Sequence, residues 1–103
     1  MKKECKAYLA EQFGGDEDVM NELYGEYVQS AGVKMKEAHS ALGKADWKQL
    51  DQVAHAMKGN ALAVGDKDMA EAAISLRNAA KLNEAKDAAN LLAIMDGLMA
   101  GLD

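Results

Sequence analysis

Apolar side chains at positions 20, 24, 27, 31, 35, 38 and 42 recur in steps of three and four, and no proline occurs anywhere in the 103 residues. That rhythm lines one face of an α-helix and scatters over both faces of a strand. It returns in Trp47, Leu50, Ala54, Met57, Ala61 and Val64, then in Met69, Ala73, Leu76 and Ala80. A last stretch repeats it with Ala85, Ala88, Leu92, Met95, Met99 and Leu102. Alanine, leucine, methionine, lysine and glutamate dominate, all good helix formers, and aromatic residues make up only 5%. The fold class is all-α.

Punctuation divides the chain into a short segment and four longer ones. The opening segment, near 3–13, carries Ala7, Leu9, Ala10 and Phe13 and stops at Gly14-Gly15. Asp16 is placed to cap the second segment, and Glu17 and Asp18 suit the positive end of its dipole. Gly43 stands where a C-terminal glycine would end that helix. Gly25 and Gly32, seven apart inside it, leave two readings, close packing against a neighbour or simple tolerance, of which packing is preferred. Asp46 opens the third segment with Gln49 three residues on, as in a capping box. Gly65 ends it, Asp66 can cap the fourth segment and Asn83 the fifth. Connections this short make neighbouring helices antiparallel, giving an up-down-up-down four-helix bundle with a short extra N-terminal helix. Residues 1–103 are read as one domain, large enough for a core without metal or disulfide staples.

Several function classes fall away. A net charge of −5 supplies no concentrated basic face for nucleic acid. The one cysteine, Cys5, cannot form an internal disulfide and suits a reducing compartment. No stretch has signal-peptide or membrane-span length, so a soluble, cytoplasmic protein is expected. There is no glycine-rich nucleotide loop, no Walker lysine and no acidic cluster able to hold magnesium by itself. Cys5, His39 and His55 have no metal-ligand spacing, so no metal and no cofactor are expected. The scattered methionines are adaptable core filler.

The informative stretch is His55-Ala56-Met57-Lys58-Gly59. Positions i, i+3 and i+4 are neighbours on a helix, so the imidazole, the ammonium and the glycine form one patch. His55 follows the core position Ala54 by about 100° of rotation and therefore sits at the edge of the buried stripe. Lys48, Asp51, Gln52, Lys58, Gly59 and Leu62 share that outward sector. A reachable imidazole can offer a nitrogen lone pair at neutral pH. Glycine costs up to about 1 kcal/mol against alanine inside a helix, and close approach of a partner is a reason for accepting it. His39, with Lys36 and Glu37 nearby in sequence, reads as a surface residue.

The order His-x-x-Lys-Gly, with Gly65 ten residues after the histidine, resembles the histidine-containing phosphotransfer (HPt) domain. Ala45-Asp46-Trp47-Lys48-Gln49-Leu50 resembles the segment that opens the phospho-histidine helix there, and the likeness runs over about 16–102. The resemblance implies a phosphoryl group on Nε2 of His55, with Nδ1 turned toward the protein. Lys58 would then balance the phosphoryl charge, and Gly59 would give access to a partner that also meets Lys48, Asp51, Gln52 and Leu62. The partners implied are a response-regulator receiver domain, which brings the aspartate and the Mg²⁺, and a sensor histidine kinase. The protein itself would be a monomeric phosphocarrier rather than an enzyme.

Two departures stand out. Asn60 follows the Lys-Gly pair, where small hydroxyl residues or alanine are usual in the family. Arg77, 22 residues after the histidine, stands where the family often places a Gln or Glu that holds the ring. A guanidinium cannot accept a hydrogen bond from Nδ1–H. Either Arg77 contacts the phosphoryl group or the ring, or Asn78 or a water orients the imidazole. Two other readings compete: a docking module for receiver or kinase domains that takes no phosphate, and an input domain clipped from a larger kinase. The initial methionine and the end soon after the last helix favour a self-contained small protein over the latter.

Overall fold

A computed structural model describes residues 1–102. Five helices carry the chain: α1 (Lys3–Phe13), α2 (Glu17–Gly43), α3 (Trp47–Ala63), α4 (Lys67–Lys81) and α5 (Ala85–Ala100). No strand occurs among the described residues. The last four form a ring in which α2 and α4 each pack on both α3 and α5, while α1 lies on α2. At about 1.5 Å per residue, α2 alone spans about 40 Å, and it sets the 42 Å long axis of the molecule.

The expected stripes face the centre of that ring. Met20, Tyr24, Tyr27, Ala31, Met35 and Ala38 of α2 are buried, as are Leu50, Ala54, Met57 and Ala61 of α3. Met69, Ala73, Leu76 and Ala80 meet them from α4, and Ala88, Leu92 and Met95 from α5. The opening segment is buried on a narrower face. Cys5 and Leu9 are buried, whereas Ala7 and Phe13 are exposed. Ala85 is exposed as well, being the first residue of its helix.

One turn is used four times. The left-handed residues Gly14, Ala45, Gly65 and Asn83 each follow a helix. The next N–H then bonds back five residues: Gly15 to Ala10, Asp46 to Ala41, Asp66 to Ala61 and Glu84 to Ala79, at 2.9–3.1 Å. This six-to-one bond is the Schellman closure of a helix C-terminus. Asp16, Asp46 and Asp66 then cap the following helices, accepting from the backbone N–H of Val19, Gln49 and Met69. Two details correct the sequence reading. Gly43 lies inside α2, and Ala45 takes the left-handed position instead. Asn83 serves its turn in the same way, so Glu84 holds the N-cap position of α5 without a side-chain cap bond. Asparagine tolerates that backbone region better than most residues, which outweighed its capping ability here.

Glycine is needed at Gly65 for two reasons. Its φ is +73°, and a Cβ there would lie 2.5 Å from the Cβ of Tyr8 on α1. Gly25 and Gly32 have no comparable reason, because a Cβ at either would meet nothing within 4 Å. The close packing expected of that pair is absent.

The N-terminus is fastened by a buried polar cluster. Asp66 is fully buried. It accepts from Lys2 Nζ at 2.8 Å and from the Tyr27 hydroxyl at 2.7 Å, besides capping α4. Tyr24 joins both chain ends, accepting the Lys2 backbone N–H at 3.2 Å and donating to the Leu102 carbonyl. Burial works against the Lys2 charge, but bonds to Asp66 and Glu4 outweigh it and raise its pKa above the ordinary lysine value. Burial, with the nearby Asp66 charge, pushes the Cys5 thiol from 9.0 up to about 11.

That shift has a pH consequence. The folded state holds the Cys5 proton more tightly than the unfolded chain does. Its contribution is therefore intact below pH 9.0 and is lost as pH rises toward about 11. Urea midpoints measured across that window should fall with pH, and Cys5→Ala should flatten the decline. An unchanged slope in the variant would assign the alkaline loss to other groups.

No helix among the described residues is long and apolar enough to cross a membrane.

Candidate functional site

α3 presents opposite characters within one turn. Ala54 and Met57 are buried, while His55 between them is exposed at the helix edge. The α3–α4 turn closed by Gly65 brings α4 alongside, and with it Arg77. Its Nη1 lies 3.0 Å from Nδ1 of His55. Its Nε donates to Oδ1 of Asp51, one turn before the histidine, at 2.9 Å. The guanidinium is thus pinned by α3 on one side and grips the α3 ring with the other. Both side chains of the Arg77–Asp51 pair are about three-quarters buried.

A guanidinium only donates, so Nδ1 of His55 is the acceptor in this bond. Nδ1 therefore faces the protein, and Nε2 makes no hydrogen bond among the described residues. The alternatives for holding the ring sort themselves clearly. Arg77 touches it, whereas Asn78 is exposed on the other flank of α4 and lines a groove with Glu84, Asp87 and Leu91 at α5.

The rest of the outward sector is laid out as its spacing suggests, with one exception. Lys48, Gln52 and Gly59 are exposed, and Leu62 is 51% exposed. Lys58 is half-buried and takes part in none of the ion pairs among the described residues. Asp51 is the exception, since its carboxylate is already engaged by Arg77. Gly59 has open space where a Cβ would be, so no contact within the chain requires a glycine. Asn60 turns the other way and donates to the Ser30 hydroxyl of α2 at 3.2 Å. Beside it, Phe13, Leu23, Tyr27 and Val64 line an open groove of about 400 Å³ between the end of α1, α2 and α3.

Sequence reasoning missed the part played by Asp51. An acid four residues before the histidine reads as one more surface charge until the register of α4 is known. His39 lies on the surface as expected, 2.9 Å from Asp96 of α5. No group of three or more His, Cys, Asp or Glu side chains among the described residues is arranged to hold a metal ion.

The described residues form a ring of helices in which the exposed imidazole of His55 is held from the neighbouring helix by Arg77. The Hpt domain family model matches residues 22–103, and the chain belongs to that family. Hpt domains are phosphocarriers, not enzymes, and meet receiver and kinase domains in the phosphorelays of two-component signalling. Neither a curated protein nor a solved structure matches the chain. The matched span starts within α2, so Lys2, Cys5 and the whole of α1 lie outside it.

Proposed function

We propose that His55 is the phosphoryl acceptor of a phosphorelay intermediate. It takes the group from a receiver-domain aspartate or from a sensor histidine kinase and passes it to a response-regulator receiver domain. The observation that carries this reading is the exposed ring whose inner nitrogen is held by Arg77, so that Nε2 faces outward. Lys58, paired with no carboxylate among the described residues, is the cation that balances the phosphoryl oxygens as a compact point charge. The partner supplies the aspartate and Mg²⁺. The helices run up-down-up-down in antiparallel order, as the three-residue turns favour, and the 103 residues form one monomeric, cytoplasmic domain.

The docking face runs along the exposed edge of α2 and α3 around His55, through Lys48, Gln52 and Leu62. Asp51 contributes to this face through Arg77 rather than as a free carboxylate.

Gly59 offers a separate check. Since a Cβ at this position meets nothing within the chain, Gly59→Ala should stabilise the domain by up to about 1 kcal/mol. The same change should slow phosphoryl exchange with a receiver, because the added methyl stands in the partner's path. Gly65→Ala, which clashes with Tyr8 and strains the turn, should instead destabilise the fold by about 1–3 kcal/mol. Chemical denaturation and transfer rates on both variants separate the two glycines. A Gly59→Ala protein with unaltered exchange would remove this residue from the docking face.

The direct test of the function is incubation of the wild-type protein with a phosphorylated receiver domain. Label should move onto the protein. Complex formation without label transfer, with affinity unaltered in His55→Ala, would favour a docking module that takes no phosphate.

A further inference from the structure

Arg77 reverses the polarity expected of a residue that orients the phospho-acceptor ring. A Gln or Glu in its place could accept a hydrogen bond from Nδ1–H and leave Nε2 with a free lone pair. Arg77 instead donates to Nδ1 at 3.0 Å, which places the ring proton of the neutral imidazole on Nε2. Asp51 fixes the donor from the far side at 2.9 Å, so the guanidinium cannot drift off without losing a second charge-assisted bond. The charged groups around the ring are Asp51 and Lys58, each one turn away on α3, and Arg77 on α4. Between α2 and α3, the side-chain hydrogen bond among the described residues joins Asn60 to Ser30 on the other flank.

We propose that Arg77 is a latch on His55: its bond to Nδ1 holds the empty ring in the unreactive Nε2–H form and keeps a proton off Nδ1 in the loaded ring. Phosphoryl groups then enter and leave only when that bond opens. This rests on His55 being the carrier.

In loading, the latch opens, Nδ1 takes a proton from water and Nε2 gives one up. Nε2 then attacks the phosphorus of the donor aspartyl phosphate. The Nε2–P bond forms, the acyl O–P bond breaks, and its electron pair stays on the carboxylate. The Nδ1 proton returns to water and Arg77 closes again on Nδ1. A loaded ring in that state holds its group firmly, because Nε2–P cleavage would expel an imidazolate. With Nδ1 protonated, the same cleavage expels a neutral imidazole and is far easier. Arg77 is accordingly a positioning residue that sets the proton inventory of the site.

The test has two readouts on the full chain. Long-range ¹⁵N–¹H NMR of the unphosphorylated protein, under mildly alkaline conditions where imidazoles are neutral, reads the tautomer of His55. Wild type and Arg77→Lys should show Nε2–H, and Arg77→Gln should move the ring toward Nδ1–H. The second readout is the lifetime of protein loaded with phosphoramidate, with no partner present. Wild type and Arg77→Lys should keep the label, and Arg77→Gln should lose it about tenfold faster or more, the scale set by one charge-assisted hydrogen bond. A wild-type ring protonated on Nδ1, a tautomer indifferent to Arg77→Gln, or equal label lifetimes would each overturn the latch. Failure of phosphoramidate to label His55 at all would strike the carrier reading instead, and the tautomer would still report whether Arg77 sets the ring proton.

Discussion

Asp66→Ala should lower folding stability by about 3–5 kcal/mol, the loss expected when one partner of a buried ion pair is removed. The carboxylate is fully buried and serves three donors: Lys2 Nζ, the Tyr27 hydroxyl and the Met69 backbone N–H. Truncation strands a phenol and the first turn of α4, and it leaves the Lys2 ammonium only its exposed partners Glu4 and Asp68. Against a total of about 5–15 kcal/mol for a domain, that brings the fold near its limit. Lys2→Met should also destabilise, because the fully buried carboxylate keeps its bonds from Tyr27 and Met69 but loses its counter-cation. Chemical denaturation of both variants gives the comparison. A loss below about 1 kcal/mol for Asp66→Ala would mean that solvent reaches the cluster and that α1 is not fastened through it.

This cluster also marks where reading the sequence stops. The stripes of α2, α3 and α4 were legible because helical periodicity is local, and each apolar position needs only its own neighbours to be identified. Asp66 could be read as a cap for the same reason, since its acceptor role reaches only to Met69. Its bond to Lys2 spans 64 residues, and nothing local announces it. Cys5 falls under the same heading, for its burial follows from where α1 is fastened. Ala85 was misjudged because it sits at a helix end, where a stripe continues in sequence but the neighbouring helix no longer covers it. Gly25 and Gly32 invited a packing argument that only the position of the neighbouring helices could refuse.

At the candidate site, the histidine, its lysine and its glycine were visible as a spacing of three and four. Arg77 was located by its distance along the chain, but not its role. Whether it would touch a phosphoryl group or the ring depends on the register of α4 against α3, which Gly65 and the buried Ala73 and Leu76 fix together. The turns show the converse case. Ala45 takes a left-handed backbone without any residue preference for it, because Asp46 N–H closes on Ala41 and the Asp46 carboxylate caps α3.

His55→Gln should abolish phosphoryl uptake completely while leaving the fold as it is. The side chain is exposed and gives up one hydrogen bond, to Arg77. Glutamine can still meet that guanidinium through its carbonyl oxygen, so Arg77 and Asp51 keep their places. What disappears is the nitrogen lone pair, the nucleophile of the transfer. Stability within about 0.5 kcal/mol of wild type is expected for such a surface change. Loss of transfer cannot then be attributed to unfolding.

The most direct measurement is to locate the label after incubation with a ³²P-phosphorylated receiver domain. The account predicts one phosphoryl group, acid-labile and base-stable, on the peptide that contains His55, and none in His55→Gln. Label on His39 or a carboxylate, or equal labelling of His55→Gln and wild type, would contradict it.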